Sequence, residues 1–167
     1  MPIEIRPKIV VQLKKADYLI ELLAILFLVG IWIFSVQYYW TLPEIIPTHF
    51  NIHGEVDAHG SKGTLFIMPI VYSIIFVLLS IISRKPEIYN YPVKITADNA
   101  AVQYALATRM LRILKTLIGW ILLSINWLTS ISARNSELHG LEWIVFVDIA
   151  LLFTAIFVYI IIARKNR

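Results

Sequence analysis

The chain has 167 residues, of which 59% are hydrophobic and 16% charged; its net charge is +4 and its mean hydropathy +0.74. A soluble domain is about 45–50% apolar and about 25% charged, so this balance excludes an ordinary soluble fold and points to a bilayer. There is no cysteine, which removes disulfides, thiolate metal centres and thiol nucleophiles. The modest positive charge lacks the aromatic-interleaved basic patch of a nucleic-acid binder, and no nucleic-acid partner is expected.

A membrane helix needs about 20 mostly apolar residues to cross a hydrocarbon core about 30 Å thick. Four segments meet that length, at about 18–40, 64–82, 111–131 and 143–163. Lipid offers no partner to backbone N–H and C=O groups, so each is predicted to be an α-helix. The first ends in Tyr38, Tyr39 and Trp40, an interfacial aromatic belt. Its apolar core exceeds the about 7–15 residues of a signal-peptide core and no A-x-A-like site follows, so it is expected to be retained. Glu21 sits near its inner end, within reach of the interface, and is given no function.

The first connection, 41–63, is polar and broken by Pro43, Pro47, Gly54, Gly60 and Gly63. Its core, PTHFNIHGEVDAHGSK, carries three of the four histidines. His49, His53, Asp57 and His59 have the nitrogen and oxygen donors that suit a divalent metal such as zinc. The H-x3-H spacing aligns two imidazoles only on a helix, and Pro47 and Gly54 leave room for about one turn. A carboxylate base at Glu55 or Asp57 has no identifiable nucleophile beside it, and a non-enzymatic role is expected. Two further readings stay open. In one, His49 and Asn51 bond loop carbonyls, Gly54 supplies a positive φ and Asp57 pairs with Lys62 or accepts backbone N–H bonds. In the other, His49, Asn51, Gly54, Asp57 and Lys62 form a recognition surface for a ligand or peptide.

Pro69 lies one turn inside the second span, where a kink is tolerable. The next connection is basic, with Arg84, Lys85 and Lys94, and contains Pro86 and Pro92. Thr96 is a helix cap, and an amphipathic helix is predicted over about 96–110, running into the third span. Its apolar face is Ala100, Ala101, Tyr104, Ala107, Leu111 and Leu114, while Gln103, Arg109, Arg112 and Lys115 fall mainly elsewhere. The three cations are expected to snorkel to lipid phosphates. Asn126 lies within the third span and Asp148 about a turn and a half into the fourth. An ionised carboxylate there is costly without water or a partner. Lys62, Arg134, a loop histidine and Asn126 are its candidate partners, and a polar cavity lined by His49, Asp57, Asn126 and Asp148 is the sharper expectation.

Lysine and arginine cluster before the first span, between the second and third and after the fourth, whereas the other two connections carry Glu44, Glu55, Asp57, Glu137 and Glu142 against Lys62 and Arg134. The positive-inside bias then places both termini in the cytoplasm and the histidine-bearing connection outside.

Within LPEIIPTHFNIHGEVDAHGSK, the residues Leu42, Pro43, Ile46, Pro47, His49, Phe50, Asn51, Gly54, Asp57, Ser61 and Lys62 resemble the signature of the bacterial domain of unknown function 1648. The following NYPVKIT block and its helix are similar to a second block in membrane proteins carrying that domain. The family pattern includes His49 and Asp57; His53 and His59 look particular to this chain. The resemblance implies a multi-pass bacterial plasma-membrane protein, related to an immunity protein that counters a sporulation-delay killing peptide. It also implies a peptide or toxin partner at the outer face and a cytoplasmic regulator at the inner face.

The expectation is therefore one all-α membrane domain over 1–167: four transmembrane helices, an extracytoplasmic loop cap and a cytoplasmic amphipathic helix. Its function is recognition, immunity or signalling through the outer loop, without a cofactor. The alternatives are a transporter with a polar intramembrane site, or a metal-dependent membrane enzyme using the loop histidines.

Overall fold

The computed structural model describes residues 6–51, 53–135, 140–141 and 143–167. Of the residues discussed above, Glu137 and Glu142 lie outside it. Helix α1 spans Lys15–Tyr39, followed by strands β1, Ile45–Phe50, and β2, Val56–Ser61. A 3₁₀ turn at Lys62–Phe66 leads into α2, Ile67–Ile82; α3 spans Ala100–Asn135 and α4 Trp143–Lys165. All four helices, α2 taken with its leading turn, are long and apolar enough to cross a membrane.

Their packing is inverted relative to a soluble bundle. Outward faces carry Leu19, Leu22, Leu26 and Ile33 on α1, Ile70, Ile74 and Val77 on α2, and Phe153, Phe157 and Ile161 on α4, all exposed. Inside lie Ser35, Gln103, Thr108, Ser124, Asn126 and Ser130, each at 5% exposure or less. Large contiguous apolar surface around a polar interior is stable only where the surroundings are themselves apolar. Helices α1 and α3 run side by side in the same direction, since Asp17 meets Arg109 at one end and Tyr38 meets Arg134 at the other. Helix α2 packs antiparallel to both, while α4 leans on the far side of α3.

One tyrosine joins the three inner helices. The Tyr72 hydroxyl of α2 lies 3.0 Å from the carbonyl oxygens of both Ala24 on α1 and Lys115 on α3. Gly119 makes this approach possible, because a Cβ there would run into the Tyr72 ring. Pro69 is buried in the first turn of α2, where its missing N–H breaks no internal helix bond.

One expectation changes. The first connection is a two-stranded antiparallel hairpin, pairing Ile45 with Ser61 and Phe50 with Val56, so the described fold is not purely helical. Proline suits this short ribbon because each strand has an unpaired edge that needs no donor at Pro47. The segment 96–110 runs into the third span, as expected. From Ala100 it forms the first turns of α3, whose 36 residues, at about 1.5 Å each, reach well beyond one hydrocarbon core.

At this end the 6–14 segment folds back over the connection between α2 and α3. Arg6 donates to the carbonyls of Glu87 and Tyr89, and Tyr104 donates to Pro7 O at 3.1 Å. Ile95, Ala100 and Tyr104 make a small core there with Ile9, Val11, Tyr91 and Val93 around it. Burial raises the Tyr89 hydroxyl to about 12 and moves that of Tyr91 in the same direction.

Candidate functional site

The hairpin is built on its turn. The Asn51 side-chain oxygen accepts from the backbone N–H groups of His53 and Glu55 at 2.8 and 3.1 Å, while its Nδ2 donates to Glu55 Oε2 at 2.7 Å. Its backbone N–H donates to Glu55 O, and its carbonyl accepts from Gly54 N–H at 3.0 Å. Gly54 has φ +78°, a conformation a side chain would disfavour. A short polar amide that mimics backbone bonding is the general device by which asparagine closes turns.

The base of the hairpin is clamped separately. Lys62 lies 2.8 Å from Glu44 Oε1 and 4.9 Å from the centre of the Tyr39 ring. Leu42, Ile46 and Leu65 pack together beneath, against Tyr38 and Ala133. The expected Asp57–Lys62 pair is therefore not made. Asp57 instead meets His49, with Oδ1 and Nδ1 2.5 Å apart, on side chains 45% and 68% exposed. Surface pairs of this kind contribute about 0–1 kcal/mol, so the contact does little for folding and leaves both groups presented to solvent.

The register also places the histidines. His49 is on β1 and His59 on β2 opposite Pro47, and His53 sits in the turn, so the one-face helical arrangement does not form. Among the described residues no three His, Asp or Glu side chains gather into a group able to hold a metal ion.

Beneath the turn lies a cavity of about 400 Å³. His49, Phe50, Asn51 and Gly54 border it from the hairpin, and Met68, Ile125, Leu128 and Phe146 from helices α2, α3 and α4. An apolar floor with a few polar groups at one rim is the usual form of a site for an amphipathic ligand.

The expected polar cavity does not form. Asn126 is turned into the α1–α3 interface, where its Nδ2 donates to Ser35 Oγ at 2.7 Å and Ser35 donates in turn to Leu65 O. Asp148, 4% exposed, accepts from Trp120 Nε1 at 2.8 Å, and its second oxygen has no partner among the described residues. Arg134 reaches Thr41 Oγ1 and the Tyr38 ring instead. Lys62 is held at the hairpin base. Indole is the partner that sequence reasoning missed, because Trp120 lies 28 residues away on α3 and reads as an aliphatic-like span residue.

The other end holds the larger correction. Arg109, Arg112 and Lys115 do not snorkel outward. Arg109 makes two hydrogen bonds to Asp17, at 2.6 and 3.1 Å. Lys115, 2% exposed, donates to Glu21 and to Ser80 Oγ and sits 4.3 Å from the Phe76 ring centre. Arg112 Nε approaches Glu21 at 3.6 Å. Spacing carried half of the signal: Asp17 and Glu21 are four apart on α1 and the cations three apart on α3, so each row occupies one helix face, but which row meets which is set by packing. Glu21, given no function from sequence, is shared by two cations.

Residues 26–72 match the family model for the domain of unknown function 1648, from mid-α1 through the hairpin into α2. A protein of Archaeoglobus fulgidus, described as uncharacterized, is 34% identical over 96 residues, covering 53% of this chain and 51% of the relative. The chain thus spans about half the length of that curated relative. No solved structure matches significantly. Neither the family model nor the relative carries a named activity, and the relative is archaeal, so bacterial origin does not follow from the match.

Proposed function

We propose that this is a multi-pass plasma-membrane protein with both termini cytoplasmic, whose hairpin forms an extracytoplasmic cap that recognises an amphipathic ligand in an immunity or signalling role. The observation that carries this reading is the cavity of about 400 Å³ under the hairpin turn, apolar below and edged by His49 and Asn51. An amphipathic peptide would place apolar side chains against Leu128 and Phe146 and polar groups against the His49–Asp57 pair. The basic terminal end, in the cytoplasm on this reading, is the surface available to a regulator. We assign no cofactor.

The orientation is tested with one cysteine introduced at the exposed His53 in this cysteine-free chain. A membrane-impermeant maleimide is expected to label it from outside, and labelling solely from the cytosol overturns the topology. For recognition, cells lacking the gene are challenged with cationic amphipathic peptides. Increased sensitivity is expected, rescued by the native chain and not by His49→Ala/Asp57→Asn at equal protein level. Equal survival of all strains removes the immunity reading.

A second reading, a transporter, is favoured by buried Asp148, whose second oxygen has no partner among the described residues. Solute or proton flux into proteoliposomes that disappears in Asp148→Asn would replace the first reading with this one.

A further inference from the structure

Among the described residues, the ionic cluster at the terminal end does not balance: Arg109, Arg112 and Lys115 meet Asp17 and Glu21, three cations against two carboxylates. Arg109 takes Asp17 with both hydrogen bonds, and Lys115 takes the shorter contact to Glu21. Arg112 is left with the longer approach to Glu21, although it is 9% exposed and its Nη1 has no hydrogen-bond partner among the described residues. A guanidinium so far removed from water is stable when an anion completes its fork.

Arg112 lines a cavity of about 440 Å³ between the 6–14 segment, the end of α2 and α3. Lys8 and Arg84 border the same cavity, against one carboxylate, Glu87, among the described residues that line it, so a second local surplus of positive charge faces the first there. Val10 and Leu13 line it too, at 90% and 38% exposure. Charged groups beside outward-facing aliphatic side chains, at the end of an apolar bundle, match the headgroup and upper chain of a lipid.

We propose that this cavity binds a phosphate group, supplied by an anionic phospholipid of the adjoining leaflet, with Arg112 as the inner ligand and Lys8 and Arg84 as the outer ones. The phosphate neutralises the surplus charge of the cluster, and bound lipid ties the 6–14 segment to α2 and α3. This site is separate from the hairpin cavity and stands whether or not that cavity recognises a peptide.

The full chain in mild detergent is incubated with phosphatidylglycerol, phosphatidylcholine or inorganic phosphate and examined by native mass spectrometry and thermal unfolding. One phosphatidylglycerol is expected per chain, retained in preference to phosphatidylcholine. Lys8→Gln/Arg84→Gln, whose side chains are outside the ion-pair cluster, should weaken retention by roughly a hundredfold, the scale of two lost charge-assisted hydrogen bonds. Arg112→Gln should weaken it further; if that variant fails to fold, the double variant decides. Inorganic phosphate that raises the unfolding temperature of the native chain and not of the double variant, without lipid retention, supports the phosphate site with a soluble source. Equal retention of both lipids in all variants, with no response to inorganic phosphate, overturns the proposal.

Discussion

The two ends of the bundle are held by different chemistry. At the hairpin end the contacts are small and the charged ones lie at or near solvent: an asparagine turn, a serine–asparagine bridge, three aliphatic side chains, an exposed His–Asp pair and a Lys62 clamp on the exposed Glu44. At the terminal end five charged side chains from two helices meet, with Lys115 almost wholly buried. Coulombic attraction strengthens as the dielectric falls, and so does the penalty for a missing partner. The terminal end is therefore intolerant of change and sets the register of α1 against α3. The hairpin end can vary its surface with little cost to the fold, which suits a place where ligands are met.

The sharpest way to break the contrast is to remove one buried charge. Lys115→Ala leaves Glu21 facing Arg112 alone and frees Ser80; we expect a loss of about 3 kcal/mol, seen as a large fall in the unfolding midpoint in detergent. Removing both partners, as Glu21→Gln/Lys115→Met, should cost less than the sum of the single changes. A smaller effect is expected midway along the bundle. Gly119→Ala forces the Tyr72 ring away from α3 and should cost about 1–3 kcal/mol, whereas Tyr72→Phe, which deletes only the hydroxyl, should cost about 1 kcal/mol. Asn51→Ala removes the two backbone N–H bonds of the hairpin turn and should lower stability by about 1 kcal/mol or less, with faster proteolysis between Phe50 and Val56. The smallest effect belongs to Asp57→Asn, which should leave the unfolding midpoint nearly unchanged because its pair with His49 is screened by water. A large loss there would erase the distinction between the ends.

Much of the architecture was readable from composition because hydrocarbon imposes length and apolarity on any helix that crosses it. The four long apolar helices lie where the apolar runs lie, and the family model matches residues 26–72, the region of the hairpin signature. The hairpin itself was less legible. Asn51 and Gly54 between Phe50 and Val56 are turn residues flanked by strand formers, but the abundance of glycine and histidine suggested an irregular loop. His49 and Asp57 both stand in the family pattern, but so does Lys62, which sequence alone offered as the partner of Asp57; the Lys62–Glu44 clamp depends on where the strands begin.

Charge pairing was the least accessible. Arg109, Arg112 and Lys115 read as an interfacial stripe when α3 is considered alone, and Glu21 as an incidental acid near a helix end. Bringing α1 alongside α3 in the same direction, with Tyr72 pinned at Gly119, makes these rows complementary. What the chain determined by itself was its solvent, the number of its long apolar helices and the position of its polar breaks, because those follow from transfer free energies summed along a segment. Which polar groups face one another, and so which are satisfied, was decided by packing, because a hydrogen bond or ion pair depends on ångström-scale geometry between helices that no single segment contains.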